Sequence, residues 1–204
     1  MKVALIGASG NVGSSILAEL LSRGHEVTGI VRHPEKLPVR EGLTAKRGDV
    51  NDEAGLARLL AGHDAVISAV RFQSANPQSL IDAVKRAGVK RLLVVGGAGS
   101  LEVAPNVQLV DTPDFPEEYK PEALAGRDFL NVLRGERELD WTFLSPSALF
   151  VPGERTGKFR LGMDRLLVGA NGESKISMED YAIALADELE TPRHSRQRFT
   201  VGYW

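Results

Sequence analysis

The sequence predicts an α/β fold, a doubly wound parallel sheet with a small C-terminal extension. Three observations lead there. Short apolar runs rich in Val, Ile and Leu alternate with stretches of helical period, most of the helical stretches close on a glycine, and the first apolar run is followed at once by a glycine cluster. Each parallel return needs a crossover, so alternation of this kind covers a sheet on both faces.

The elements read in order as follows. Lys2 to Ile6 (KVALI) is a buried strand ended by Gly7. Val12, Ile16 and Leu20, with Leu17 and Leu21 beside them, repeat at helical spacing up to Arg23, and Gly24 stops the helix. Glu26 to Val31 is the second strand and Leu43 to Lys46 a modest third. A helix over Glu53 to Leu60 closes at Gly62, and Asp64 to Ala69 (DAVISA) is the fourth strand. Leu80, Ile81, Val84 and Ala87 line a helix closed by Gly88, after which Arg91 to Val95 (RLLVV) leads into Gly96, Gly97 and Gly99. Four prolines break Glu102 to Pro121, which is expected to be a long loop over one end of the sheet. A helix from Glu122 to about Arg137 and a strand at Trp141 to Leu144 resume the alternation. Ser177, with Glu179 and Asp180 behind it, starts a helix over Met178 to Leu189, and Phe199 to Val201 is a short last strand.

Composition narrows the function classes. At 204 residues the chain suits one domain spanning 1–204, with substrate-side elements within 102–121 and 147–204. A net charge of −2 gives no reason to expect nucleic acid or an anionic membrane as a partner. There is no cysteine, hence no disulfide framework, no Cys-ligated zinc and no thiolate nucleophile. No apolar stretch reaches the length of a membrane span, and the opening run breaks too early for a signal-peptide core, so a cytoplasmic protein is expected. His25, His33, His63 and His194 lie apart without metal-ligand spacing, and most of them are expected in solvated loops or turns. Glu136, Arg137, Glu138 and Asp140 are expected to form a solvated helix end, and no G-x-S-x-G elbow supports a serine hydrolase.

The chemistry concentrates in Gly7-Ala8-Ser9-Gly10-Asn11-Val12-Gly13, between the first strand and the first helix. Glycines there permit an unusual turn, close approach of a pyrophosphate and tight helix packing, while the helix N-terminus offers free N–H groups. A tight turn that binds nothing is the plain alternative. Arg32 closes the second strand where a site for an unphosphorylated ribose usually carries Asp or Glu. Its planar donor fork suits a phosphate, with Lys36 a second cation, against the alternative of a solvated surface arginine.

The G-x-x-G-x-x-G spacing resembles the extended and atypical short-chain dehydrogenase/reductase superfamily, with its Rossmann-like sheet. Val31 to Leu37, Gly48-Asp49-Val50, Gly62 to Ser68 and Leu139 to Pro146 resemble further segments of that superfamily, so the similarity spans nearly the whole chain. Within it the chain is most similar to compact NAD(P)H-binding proteins related to NmrA-like regulators and to biliverdin reductase B and flavin reductase. The resemblance implies that Gly7, Ser9, Gly10, Asn11, Val12 and Gly13 hold the pyrophosphate and that Asp49 and Val50 flank the adenine. It also implies that Ser68 and Ala69 pass beneath the ribose and that Pro146 sits near the nicotinamide. Asp49 reads equally as a cap for the helix at Glu53. With Arg32 and Lys36 in place of an acid, NADP(H) is the preferred cofactor and NAD(H) a possible one.

The superfamily's catalytic Y-x-x-x-K motif is absent: Tyr119 is followed four residues later by Ala123. Tyr119 is therefore either a proton donor or a lid residue, and Ser100 is the candidate serine, ahead of Ser68. Departure from the motif does not forbid hydride transfer to a flavin, quinone or conjugated carbonyl that draws its proton from water. It does argue against sugar-nucleotide epimerisation, which needs an acid and a base. The expected function is an NADPH-dependent reductase of a small planar molecule; a non-catalytic NADP(H) sensor similar to NmrA-like proteins is the alternative. A monomer or weak homodimer is expected.

Overall fold

The computed structural model describes residues 1–204. Lys2–Ile6 is β1 and Asn11–Ser22 is α1. They are followed by β2 (Glu26–Val31), β3 (Leu43–Arg47), α2 (Glu53–Leu60), β4 (Ala65–Ser68), α3 (Pro77–Arg86) and β5 (Arg91–Val95). The second half holds β6 (Glu102–Ala104), β7 (Val107–Gln108), α4 (Lys120–Arg134), β8 (Asp140–Ser145), β9 (Leu149–Val151) and β10 (Arg160–Gly162). It closes with β11 (Lys175–Ser177), α5 (Met178–Glu190) and β12 (Gln197–Gly202).

Eight strands form one sheet in the order β10-β12-β8-β5-β4-β1-β2-β3, parallel throughout except for β10 against β12. The chain winds outward from β1 through β2 and β3 to one edge, then returns to β4 on the other side of β1. That reversal opens a crevice beyond the carboxyl ends of the strands, where ligands of such sheets bind. Ile16 and Leu20 of α1 share one face with Tyr181 and Leu185 of α5, while Leu56, Leu80 and Phe129 of α2, α3 and α4 cover the other. Burial on both faces explains why β1, β4 and β5 read as unbroken apolar runs. No helix is long and apolar enough to cross a membrane.

Helix starts follow side-chain chemistry. Asp52 accepts from Gly55 N at the head of α2, Asn76 from Ser79 N at α3 and Ser177 from Asp180 N at α5. α4 begins at Lys120, two residues before the expected start, because Pro121 falls in its first turn, where its missing N–H costs nothing. It ends at Arg134 rather than near Arg137.

Several expectations need correction. The segment 102–121 is not all loop: it contains the β6–β7 hairpin and turns of 3-10 helix at Leu109–Asp111 and Glu117–Tyr119. β9, β10 and β11, three residues each, were too short to show a period. Glu136 is buried instead of solvated, accepting from Lys85 and from the amides of Glu138 and Leu139. Burial alone would raise its carboxyl, but Lys85 and the two amides hold it below the usual range. Of the histidines only His33 is solvated as expected. His25 is buried against Glu190 at 2.7 Å, His63 bonds Thr28 Oγ1 at 2.8 Å, and His194 stacks on Phe199 with ring centres 4.0 Å apart.

Candidate functional site

The crevice holds a cleft of about 380 Å³ at the carboxyl ends of β1, β2 and β4. Its floor is the turn from β1 to α1. Gly7 has φ of +84°, a left-handed conformation that disfavours any side chain, and a Cβ there would lie 2.8 Å from Ala69 O. A Cβ on Gly13 would overlap the carbonyl oxygen of Gly7, so this glycine lets α1 pack against the turn. Gly10 is different. A Cβ there would meet only Gly7 O, at 3.7 Å, so protein packing does not require its bare backbone.

The first turn of α1 carries no side-chain cap and no acidic residue. The amides of Asn11, Val12 and Gly13 have no hydrogen-bond partner in the protein, whereas Ser14 N already donates to Gly10 O at 2.8 Å. Three free N–H groups, the positive end of a helix and an unobstructed glycine together make a cradle for an anion.

The cleft continues from the turn towards Arg32, His33 and Lys36 on one side and Gly48, Asp49, Val50 and Asn51 on the other, and is closed by Ala69, Val70, Arg71 and Ser74. Arg32, Lys36 and Arg71 bring three positive charges to the lining and Asp49 the one negative charge. Asp49 does not cap α2, since Asp52 does; its Oδ1 accepts from Asn51 N at 2.9 Å and shapes the turn after β3. Of the residues expected at the site, Gly7, Ser9, Gly10, Arg32, Lys36, Asp49, Val50 and Ala69 line this cleft. Asn11, Val12 and Gly13 border it through the start of α1, while Ser68 and Pro146 are buried behind the strand ends.

Arg71, Asn51 and Ser74 escaped the sequence reading. Arg71 stands three residues past Ser68, just beyond the strand that neighbours the glycine strand, and a cation at that offset was the available signal.

The two catalytic candidates lie elsewhere. Tyr119 ends the turn Glu117–Tyr119 and is 60% exposed, while the Nζ of neighbouring Lys120 is engaged by Glu117 at 2.8 Å. Ser100 is 3% exposed, and its Oγ accepts from Arg198 Nη1 at 2.9 Å. Arg198 also donates to Ser145 Oγ and Asp164 Oδ1, so Ser100 belongs to a polar knot joining the loop after β5 to β8 and β12. Neither side chain lines the cleft.

The cleft's free amides, its open glycine and its cationic side suit an anionic ligand of the dinucleotide class. The chain matches the NAD(P)H-binding family over residues 7–192. It is 45% identical to YwnB of Bacillus subtilis, with 98% of each chain covered. A solved structure from Bacteroides thetaiotaomicron, named a proposed epimerase, is 48% identical with a TM-score of 0.95, covering 99% of this chain and 96% of that one. A proposed NADH-flavin reductase from Streptococcus pneumoniae is 38% identical with a TM-score of 0.85 over the full length of both chains. By its residues and its fold, the chain belongs to the NAD(P)H-binding family, and its sheet is Rossmann-like.

Proposed function

We propose that this chain is an NADPH-dependent reductase of a small planar acceptor such as a flavin, a quinone or a conjugated carbonyl. The observation that carries the reading is a cleft bordered by the free amides at the start of α1 and lined by the Arg32 and Lys36 side chains. A 2′-phosphate on the adenosine ribose would find two cations there and no carboxylate at the end of β2.

When bound, the reduced cofactor supplies a hydride. The chain's own task is to bind, to orient and to keep the acceptor flat. The segment after β5 offers small residues for that at Gly97 and Ala98, and β9, which follows β8, offers Leu149 and Phe150. Tyr119 stands in solvent without a lysine partner and the Ser100 hydroxyl is held by Arg198, so the proton is assigned to water. That favours acceptors whose reduced form is a stabilised anion, flavins and quinones, over simple ketones. The Bacteroides thetaiotaomicron relative is named for epimerisation, which requires an acid and a base on a carbinol carbon; no such pair is placed here.

The same positions of Tyr119 and Ser100 favour a second reading, a non-catalytic NADP(H)-binding sensor. Oxidation of NADPH against a panel of flavins, quinones and carbonyls, alongside calorimetric titration, separates the two. Turnover with a planar acceptor supports the reductase, tight binding without oxidation supports the sensor, and failure to bind removes both.

A further inference from the structure

The wall of the cleft between Ala69 and Ser74 is anchored from a helix that does not touch the cleft. The wall starts where Ala69 N donates to Ile6 O at 2.9 Å, and its far end is tied by Asn51, whose Nδ2 donates to Ser74 O at 2.9 Å. Between these points the backbone turns at Phe72–Ser74, and two of its amides point out of the wall at a single carboxylate. Phe72 N donates to Glu122 Oε2 at 2.8 Å and Gln73 N to Glu122 Oε1 at 2.9 Å.

Phe72 adds a second anchor. Its ring packs against Phe129 and Phe143, with centres 5.4 and 5.9 Å apart, and fills a notch over Gly126, where a Cβ would stand 2.9 Å from the ring. Glu122, Gly126 and Phe129 lie at positions i, i+4 and i+7 of α4 and so share one helix face. One side of α4 is thus shaped to receive the 71–74 turn. Arg71, immediately before the anchored residue, lines the cleft.

We propose that Glu122, Phe72 and Gly126 are positioning residues of the dinucleotide site: they fix the backbone that presents Arg71 to the ligand and so make cofactor affinity depend on α4. The proposal rests on the reading of the cleft as an NADPH site. Two charge-assisted hydrogen bonds and two aromatic contacts fix the turn from the α4 side, while Asn51 ties its far end. Because Tyr119 and Lys120 sit at the head of α4, a movement of the 109–120 segment would reach the cofactor through this contact.

The test is a double-mutant cycle in the full chain, reading the NADPH dissociation constant by calorimetry. Glu122→Gln is isosteric but presents an NH2 to one of the two amides. It is expected to weaken NADPH about three- to ten-fold, with the melting temperature close to that of the unaltered protein. Gly126→Ala, which displaces the Phe72 ring, should weaken binding in the same direction by an independent route. Arg71→Ala should also weaken it, but by much less in the Glu122→Gln background than alone, although no hydrogen bond or ion pair joins the Arg71 and Glu122 side chains. A residue of merely structural importance would lower stability and leave the Arg71→Ala effect intact. Additive losses, unchanged affinity in Glu122→Gln, or an Arg71→Ala variant that binds normally would each overturn the proposal. An unaltered chain that does not bind NADPH would overturn the functional reading itself, which is a separate result.

Discussion

Replacing Gly10 with valine separates ligand space from packing space. The backbone at Gly10, with φ −72° and ψ 174°, is extended and open to any residue, and an added Cβ would meet only Gly7 O at 3.7 Å. The folding cost is that of a poor N-cap, about 1 kcal/mol, or roughly 2–4 °C in melting temperature for a chain of this size. The binding cost is larger. A branched side chain would stand in front of the Asn11, Val12 and Gly13 amides, and each hydrogen bond to a charged group contributes about 1.5–3 kcal/mol. Losing two lowers affinity by at least about a hundred-fold. Calorimetric titration with NADPH and a thermal melt of the same sample give both numbers. Gly13→Ala is the contrast: its Cβ overlaps the Gly7 carbonyl, so that variant should lose stability as well. Undiminished NADPH binding by Gly10→Val would show that the pyrophosphate does not lie over this turn. A collapse of its melting temperature would show that Gly10 serves the fold.

Three further perturbations address other parts of the molecule. Arg32→Asp should erase or reverse a preference for NADPH over NADH of about ten- to a hundred-fold, read from the two dissociation constants; equal affinities in the unaltered protein would remove Arg32 from the phosphate site. Tyr119→Phe should lower turnover by less than about ten-fold, because an exposed tyrosine with no lysine partner is not poised to give up a proton; a hundred-fold loss with intact cofactor binding would restore it as a general acid. Asp180 is fully buried at the head of α5 and accepts from the Thr156 and Gly157 amides, Thr156 Oγ1 and the Tyr203 hydroxyl. Burial by itself would raise its carboxyl, but the bonds from Tyr203, Gly157 and Thr156 prevail and hold it below the ordinary aspartate value. Its stabilisation is therefore complete above the unfolded value of about 3.9 and is lost as pH falls through the lower folded one. Asp180→Asn should show a shallower fall in melting temperature below about pH 4, and an unchanged acid limb would count against this account.

The C-terminal extension shows why such groups matter. Residues 153–157 hold little apolar surface and run along the outside of α1 and α5, so polar contacts pin them. Arg155 forks onto Glu19 of α1 at 2.9 and 3.0 Å, and Gly153 N donates to Glu179. Arg155 hydrogen bonds lower the Glu19 carboxyl, outweighing its burial, with Arg23 assisting. No local sequence rule pairs residue 19 with residue 155.

What the sequence determined by itself was whatever depends on neighbours along the chain. The strands Lys2–Ile6 and Arg91–Val95 were legible because burial on both faces leaves unbroken apolar runs. The helix starting after Ser177 was legible because its cap lies three residues from the amide it satisfies. The glycine turn was legible because strand, turn and helix are contiguous, and Arg32 because it ends the adjacent strand. Tertiary structure alone decided the rest. The free amides of α1 gain meaning only beside Arg71 and Asn51, which arrive from other crossovers. Ser100 reads as the candidate catalytic serine after the fifth strand until Arg198, 98 residues away, donates to its oxygen. Glu122 reads as an ordinary first-turn acid until the 71–74 turn, 50 residues earlier, brings two amides to it. The physical reason is range: backbone propensity and capping act within a turn or a strand, whereas charge pairing and buried hydrogen bonds depend on distances that exist only once the sheet has assembled.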